Sequence, residues 1–205
     1  MQSCVIDGQV RDFNLSGADS LACMLSSLNG DLATSGRFIA SLRVNGREVA
    51  DIGEESGQRL EGIGPIEITT ESPLSVARNI IAEGEIFIEG LQDYLVRTAG
   101  HYSSGNECAG RYFDEAVQGL QWFVQMIGFI EETLQLDFDQ LSINGKQVVE
   151  YVLSLNSIFQ DIVNSQENFD PVLLADLLEY DLVPHLEEWK GIFTLFEGEL
   201  VSKTC

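Results

Sequence analysis

The pattern of apolar and polar residues changes at Ser72-Pro73. Before this point, short apolar runs alternate with Gly-containing turns, a pattern typical of strands and tight turns. After it, apolar residues recur at spacings of three and four over roughly 130 residues, which is the period of amphipathic helices. The pattern therefore predicts two domains, residues 1–71 and residues 72–205.

Two dipeptides predict β-hairpins in the first domain. Asp7-Gly8 and Asn45-Gly46 each separate two short apolar runs, and both accept the two positive φ values of a type I′ turn. The predicted strands are residues 3–6, 9–13, 38–44, 47–49 and 65–71.

A helix is predicted between the two hairpins, at residues 18–28. Its apolar side chains recur at helical spacing: Leu21, Met24, Leu25 and Leu28. Ser16 or Asp19 is the expected N-cap, because either side chain can accept a hydrogen bond from a free N–H of the first turn. The element order is strand, strand, helix, strand, short strand, strand.

That order resembles the β-grasp, or ubiquitin-like, fold. The segment LRVNGREVAD at residues 42–51 is similar to the ubiquitin-like third strand, tight turn and short fourth strand, and LEGIG at residues 60–64 leads into the final strand. The resemblance implies a binding module. It does not imply a conjugated modifier or sulfur carrier, because the last strand runs into Ser72-Pro73-Leu74 without a free Gly-Gly tail.

Four helices are predicted in the second domain. Ser72 is the expected N-cap of the first, with Pro73 at the first helical position, where a missing N–H costs nothing. The first apolar seam is Leu74, Ala77, Ile81, Gly84, Ile88, Leu91, Leu95, Thr98 and Tyr102. After a Gly- and Ser-rich connection at residues 100–110, the second seam is Phe113, Ala116, Leu120, Phe123, Ile127, Ile130 and Leu134.

The third helix is predicted at residues 146–164 and the fourth at residues 171–199, capped by Asp170. The third seam is Val148, Val152, Leu155, Phe159 and Ile162. Short links between long amphipathic helices favour antiparallel neighbours. The fold class is therefore predicted to be α+β, with a small β-grasp-like domain followed by an antiparallel four-helix bundle.

Two features inside the predicted helices each have two interpretations. Pro184 either kinks the fourth helix or lies in the first turn of a new segment capped by Asp181. Gly-Leu-Gln occurs at Gly90 and again at Gly119, which indicates either a duplicated hairpin or, in our preferred interpretation, close approach of neighbouring helices.

Charge limits the possible partners. The chain has 33 acidic residues against 11 basic ones, and its formal net charge is -22. Nucleic acids and anionic membranes are held by Lys and Arg, so we expect neither as a partner. A basic protein would be attracted to such a chain.

Residues that could carry chemistry are few and scattered. The four cysteines form no Cys-x-x-Cys pair, so a zinc or redox site is not indicated. The first three helical seams contain no acidic residue, whereas a di-iron site needs inward-facing Glu and Glu-x-x-His pairs. We expect His101 to lie at a helix end near Cys108 and His185 to pack near Trp189, with no catalytic site, no metal and no cofactor.

Apolar side chains outside the seams are the candidate interaction surface. They are Phe87, Tyr94, Trp122, Met126, Phe129, Tyr151 and Phe193. Such side chains must be covered by the N-terminal domain, by a second copy of the chain, or by a partner.

The sequence favours a non-enzymatic adaptor or chaperone-like binder. The helical half is similar in composition and architecture to small acidic bacterial chaperones that hold one client. The chain shows no secretion signal pattern and no apolar run long enough to span a membrane, so we expect a cytoplasmic protein. The alternatives are an enzyme with a site at the domain junction and a self-associating structural subunit such as a homodimer.

Overall fold

The computed structural model describes residues 2–13, 20–49 and 64–204. The chain divides into two compact units, Met1–Val76 and Ala77–Cys205. A small mixed sheet in the first unit precedes a long series of helices, so the α+β fold class is confirmed.

The first unit contains a five-stranded sheet. Its strands are β1 (Gln2–Ile6), β2 (Gln9–Phe13), β3 (Phe38–Val44), β4 (Arg47–Glu48) and β5 (Ile66–Glu71), in the order β2-β1-β5-β3-β4. β1 and β5 are parallel, and the other neighbours are antiparallel.

Both predicted hairpin turns are confirmed. Asp7 and Gly8 have φ values of 49° and 78°, and Asn45 and Gly46 have φ values of 55° and 75°. Asp, Asn and Gly tolerate this left-handed region better than other residues. The turns therefore fix the register of β1 with β2 and of β3 with β4.

Helix α1 (Leu21–Thr34) supplies the apolar face that covers the sheet. All four of its predicted apolar positions are buried in one core with Cys4, Ile6, Leu42, Val44, Ile66 and Ile68. The predicted N-cap was wrong: the side chain of Ser20 accepts from the N–H of Cys23 at 3.4 Å. Ser16 and Asp19 lie outside the described residues, as do residues 50–51 and 60–63, so the β-grasp assignment stays a prediction.

The second unit is helical apart from one small hairpin. Its elements are α2 (Pro73–Ser103, which begins at the end of the first unit), α3 (Ala109–Leu134), β6 (Ser142–Ile143), β7 (Lys146–Gln147), α4 (Val148–Glu167), α5 (Pro171–Asp176), a π-helical turn (Leu177–Leu182) and α6 (Val183–Thr204). The four-helix bundle geometry stays a prediction.

The predicted start and seams of the first two long helices are confirmed. The hydroxyl of Ser72 accepts from the N–H of Ser75 at 3.2 Å, and Pro73 is the first residue of α2. The buried residues of α2 and α3 include every predicted seam position except Leu74, Tyr102 and Phe113, which are half-buried. The 3.6-residue period alone therefore identifies the inner faces.

The predicted seam of α4 was wrong at two positions. Tyr151 is buried, whereas Val152 and Phe159 are half-buried. The phenolic hydroxyl of Tyr151 donates to the carbonyl of Ile143 at 3.3 Å. A buried Tyr usually has such a partner, so this contact favours Tyr151 over its neighbour Val152 on the inner face.

Pro184 follows a π-helical turn and lies in the first turn of α6, as the second interpretation predicted, but Asp181 is not the cap of that segment. The N–H of Val183 donates to the carbonyl of Leu178, five residues earlier. Pro184 has no N–H for the carbonyl of Tyr180, and its ring would press against that oxygen in a regular α-helix. Asp181 lies inside the π turn and does not begin a new helix.

The hairpin of β6 and β7 was missed in the sequence. Asn144 and Gly145 form its turn with φ values of 52° and 81°, the same chemistry that identified the two earlier hairpins. The hairpin lies between α3 and α4 along the chain.

Aromatic residues of α6 form the centre of the helical core. Trp189, Phe193 and Phe196 are fully buried. The ring of Phe123 in α3 meets that of Trp189 edge to face, with centroids 5.4 Å apart.

Candidate binding groove

An apolar groove of about 750 Å³ runs between α3 and α4. From α3 it is lined by Phe113, Val117, Leu120, Gln121, Val124 and Gln125, and from α4 by Asn156, Phe159, Ile162, Val163, Gln166 and Glu167. Each set recurs at helical spacing, so each forms one continuous face of its helix.

The floor of the groove is buried and its walls are open. Leu120 and Ile162 are buried, while Val124 and Val163 are 46% and 48% exposed. Exposed β-branched residues on two facing helices leave apolar surface in contact with water. The groove is therefore an apolar surface that is open to water.

The polar side chains of the groove are mostly amides. They are Gln121, Gln125, Asn156 and Gln166. Each amide can both donate and accept hydrogen bonds. Glu167 is the one charged residue among the described side chains of the lining, so any charge preference of these side chains favours cations.

Gln166 connects the groove to a second, smaller cavity. Its Nε2 lies 3.3 Å from the hydroxyl of Tyr102, and both residues line a space of about 270 Å³ beside α5. Phe169 also lines this space, yet it is 90% exposed and has a φ of 54°. A left-handed backbone conformation is unusual and unfavourable for a bulky residue. After the end of α4, Phe169 therefore combines an unfavourable backbone conformation with an aromatic ring exposed to water.

A family comparison covers this region of the chain. The model of a family described as a domain of unknown function, DUF8042, matches residues 75–192, which is more than half of the chain. The chain belongs to the DUF8042 family. All groove residues lie inside the matched DUF8042 segment. No curated protein and no solved structure matches the chain.

Five of the predicted interaction residues lie elsewhere in the DUF8042 domain. Trp122 is 64% exposed, whereas Phe87, Tyr94, Met126 and Phe129 are half-buried. None of these residues lines the groove.

Tyr151 and Phe193 do not belong to an exposed surface, and their assignment to one was wrong. Tyr151 is buried through its contact with the hairpin, and Phe193 packs in the core of α6. The ring of Phe193 occupies the space left by the missing side chain of Gly84. Both residues are covered within the helical unit itself.

Tyr94 belongs to a polar network instead of an apolar surface. Its hydroxyl donates to Glu115, and the guanidinium of Arg97 lies 5.3 Å from its ring centroid. Desolvation, followed by the hydrogen bond to Glu115, raises the pKa of Tyr94 to about 12. The hydrogen bonds from Tyr94 and then Arg111 lower the pKa of Glu115.

His101 lies in the last turn of α2, and Cys108 directly precedes α3. The ring of His101 stacks on Tyr112 with centroids 4.0 Å apart. Asn106 Nδ2 lies 2.9 Å from His101 Nδ1, while Asn106 Oδ1 accepts from the N–H of Cys108. These contacts order the turn, and Cys108 itself is exposed at the beginning of α3.

His185 is buried, as predicted, beside Trp189. Its Nε2 lies 3.0 Å from the carbonyl oxygen of Tyr151 and 3.2 Å from the indole Nε1 of Trp189, and in either tautomer it can bond only one of the two: it donates to the carbonyl or accepts from the indole. Burial lowers the pKa of His185, and the nearby Glu188 carboxylate opposes this effect. The histidine therefore joins α6 to α4 as a neutral ring.

The described part of the chain contains neither a group of metal-ligating side chains nor a membrane-spanning helix. Within residues 2–13, 20–49 and 64–204, no three His, Cys, Asp or Glu side chains lie close enough to hold a metal ion. None of the helices in these segments is long and apolar enough to cross a bilayer.

Proposed function

We propose that this protein is a non-enzymatic binding module, an adaptor or chaperone-like protein, that holds an apolar segment of a partner in the groove between α3 and α4. The observation that carries the proposal is the groove itself: about 750 Å³ of largely apolar space, open to water. Binding would remove the exposed faces of Val124 and Val163 from water, and burial of apolar surface drives association.

The openness of the groove favours a protein segment over a small molecule. Small-molecule pockets enclose most of the ligand surface and place a few polar groups to orient it. Here two helices flank an open channel, which is the arrangement used to bind an amphipathic helix. We also propose a cytoplasmic location and no nucleic-acid partner, in keeping with the strongly acidic composition.

Capture of partners from a lysate of the native host tests this proposal when it is combined with matched variants. The double variant Val124→Arg and Val163→Arg places two charges in the groove. The control variant, Ile86→Arg and Val201→Arg, places the same charges at exposed apolar positions of α2 and α6. We expect the wild type and the control to retain a stoichiometric partner, and the groove variant to lose it.

Two outcomes would contradict the proposal. One is a partner that the groove variant retains at wild-type yield, since the groove would then be unrelated to binding. The other is a second copy of the chain as the bound species, which light scattering would identify as a dimer and which would favour a self-associating subunit.

A further inference from the structure

We propose that the occupant of the groove is a basic amphipathic helix of a partner protein. This inference rests on the proposed function and adds the chemistry of the partner. It combines three properties of the groove: its length, the hydrogen-bonding capacity of its walls, and the sign of the surrounding charge.

The length of the groove fits about three turns of a helix. Its lining on α3 extends from Phe113 to Gln125, which corresponds to about 18 Å at 1.5 Å per residue. An amphipathic helix of this length presents a stripe of apolar side chains at spacings of three and four. Such a stripe matches the apolar floor formed by Leu120 and Ile162.

The walls favour a helix over an extended strand. A strand that binds by augmentation needs a row of free backbone N–H and C=O groups on the receiving edge. The groove is lined by two α-helices, α3 and α4, whose interior backbone groups are bonded within the helix. A helix satisfies its own backbone and needs only side-chain contacts.

The surrounding charge favours a basic partner. Between Arg111 and Lys190 the sequence contains only one Lys or Arg, Lys146, and this stretch includes the whole groove. Glu167 lies in the lining, and Asp114 follows Phe113 on the exposed side of α3. Opposite charges at the rim of an interface steer encounter and select partners.

Phe169 adds a second contact for a cation. Its exposed ring lies between Glu167 and Asp170 in the sequence and beside Gln166 in the smaller cavity. A Lys or Arg side chain can bind over the face of an aromatic ring while carboxylates neutralise its charge. The end of the groove at Gln166 therefore suits a basic residue at one end of the bound helix.

Synthetic peptides test the inference on the full chain. The first peptide is an amphipathic helix of about 18 residues, which is longer than the groove at about 27 Å so that the isolated helix forms, with leucines on one face and lysines on the other. The second replaces every lysine with glutamate, the third replaces every lysine with glutamine, and the fourth keeps the lysines but scrambles the leucine stripe. Fluorescence anisotropy gives the dissociation constant of each peptide at low and high salt.

We expect the lysine peptide to bind at least about tenfold more tightly than the glutamine peptide, and the glutamate peptide to bind more weakly than both. Added salt should reduce these differences. The variant Glu167→Gln with Asp114→Asn, and separately Phe169→Ala, should weaken the lysine peptide. The matched control Asp161→Asn with Glu83→Gln removes two exposed carboxylates outside the groove lining and should leave binding within about twofold of wild type, as surface changes away from a contact usually do.

The outcomes separate the two proposals. One outcome is that the glutamine and lysine peptides bind equally well to the wild type and that neither binds the Val124→Arg and Val163→Arg variant. This result would overturn the basic occupant and leave the groove function intact. Binding of no amphipathic peptide, or equal binding of the scrambled peptide, would contradict the groove function itself.

Discussion

Two glycines of α2 show how much a single Cβ atom matters at the residue scale. A methyl group at Gly84 would overlap the ring of Phe193, whereas a methyl group at Gly90 would meet no atom within 4 Å. Gly119 is also close-packed, against Leu91. The interpretation of Gly90 and Gly119 as a matched pair of close contacts was therefore wrong for Gly90.

Alanine at these two positions should have opposite effects. Gly84→Ala should lower the free energy of unfolding by about 1–3 kcal/mol, because the buried ring of Phe193 must move. Gly90→Ala should raise it by up to about 1 kcal/mol, because alanine restricts the unfolded chain and favours the helix. Urea unfolding of both variants measures these two changes. An increase in the free energy of unfolding of Gly84→Ala would contradict the close packing of Gly84 against Phe193.

His185 should make stability depend on pH. Burial holds the pKa of His185 below its ordinary value of 6.5, so the unfolded chain binds a proton more readily than the folded one. The contribution of this histidine is present above the unfolded pKa and is lost as pH falls through the folded pKa. The free energy of unfolding should therefore decrease from neutral pH toward about pH 5.

The variant His185→Gln isolates this effect. Its free energy of unfolding, measured by urea titration across the same pH series, should fall less steeply than that of the wild type. His101, which is only half-buried, provides the control variant His101→Gln. If the free energy of unfolding of His185→Gln falls with pH as steeply as that of the wild type, the buried ring does not cause the loss of stability at low pH.

At the scale of elements, the start of α5 depends on one side chain. Asp170 follows the exposed Phe169, and its Oδ1 accepts from the N–H of Leu173 at 3.0 Å, with Pro171 at the first helical position. This confirms the predicted cap. Because α5 runs directly into the π-helical turn, this cap lies at the N-terminal end of a continuous helical stretch.

Removal of that cap should destabilise the helical unit. Asp170→Ala should lower the free energy of unfolding by about 1 kcal/mol, whereas Asp170→Ser, which keeps an acceptor, should have a much smaller effect. Hydrogen exchange at the amide of Leu173 reports the cap directly. Unchanged exchange at Leu173 in Asp170→Ala would contradict a capping role.

Most elements could be predicted from local sequence because local physics decides them. The inner faces of α2 and α3 follow from the helical period, and Asp7-Gly8 and Asn45-Gly46 follow from turn chemistry. Asn144-Gly145 carried the same signal as these turns. On α4, Tyr151 is buried where the sequence predicted Val152, and its hydroxyl donates to the carbonyl of Ile143 in the hairpin. This contact joins two separate elements, so no local pattern indicated it.

At the scale of the whole molecule, each unit has its own core. The buried cluster under the sheet contains residues of the first unit alone. A part-buried polar contact supports it: Asp7 accepts from the N–H and hydroxyl of the buried Thr70 at 2.8 and 2.7 Å and pairs with Arg37. This contact joins the first turn to the last strand of the sheet.

Asp7→Asn should therefore destabilise the first unit selectively. Asparagine keeps the turn conformation, but it removes the charge and one acceptor, at a cost of about 1–3 kcal/mol. Hydrogen exchange should accelerate in β1 and β5 and stay unchanged in α4 and α6. The control is Asp31→Asn, an exposed position of α1; equal acceleration in both units of Asp7→Asn would contradict separate cores.

The groove could not be predicted, because it depends on the separation of two helices rather than on either one alone. The sequence assigned Phe113 and Leu120 to one seam and Phe159 and Ile162 to another. Nothing local indicated that these seams leave a channel where they meet. The predicted surface followed aromatic content instead, and two of its members, Tyr151 and Phe193, proved to be core residues.

The amide side chains along the groove have a consequence for how a partner can evolve. Gln121, Gln125, Asn156 and Gln166 offer donors and acceptors at the same positions. A partner residue that changes from a donor to an acceptor still finds a match after rotation of the amide. If the groove holds a partner as proposed, that partner can accumulate polar substitutions along its contact face without a compensating change in this chain, as long as its apolar spacing is preserved.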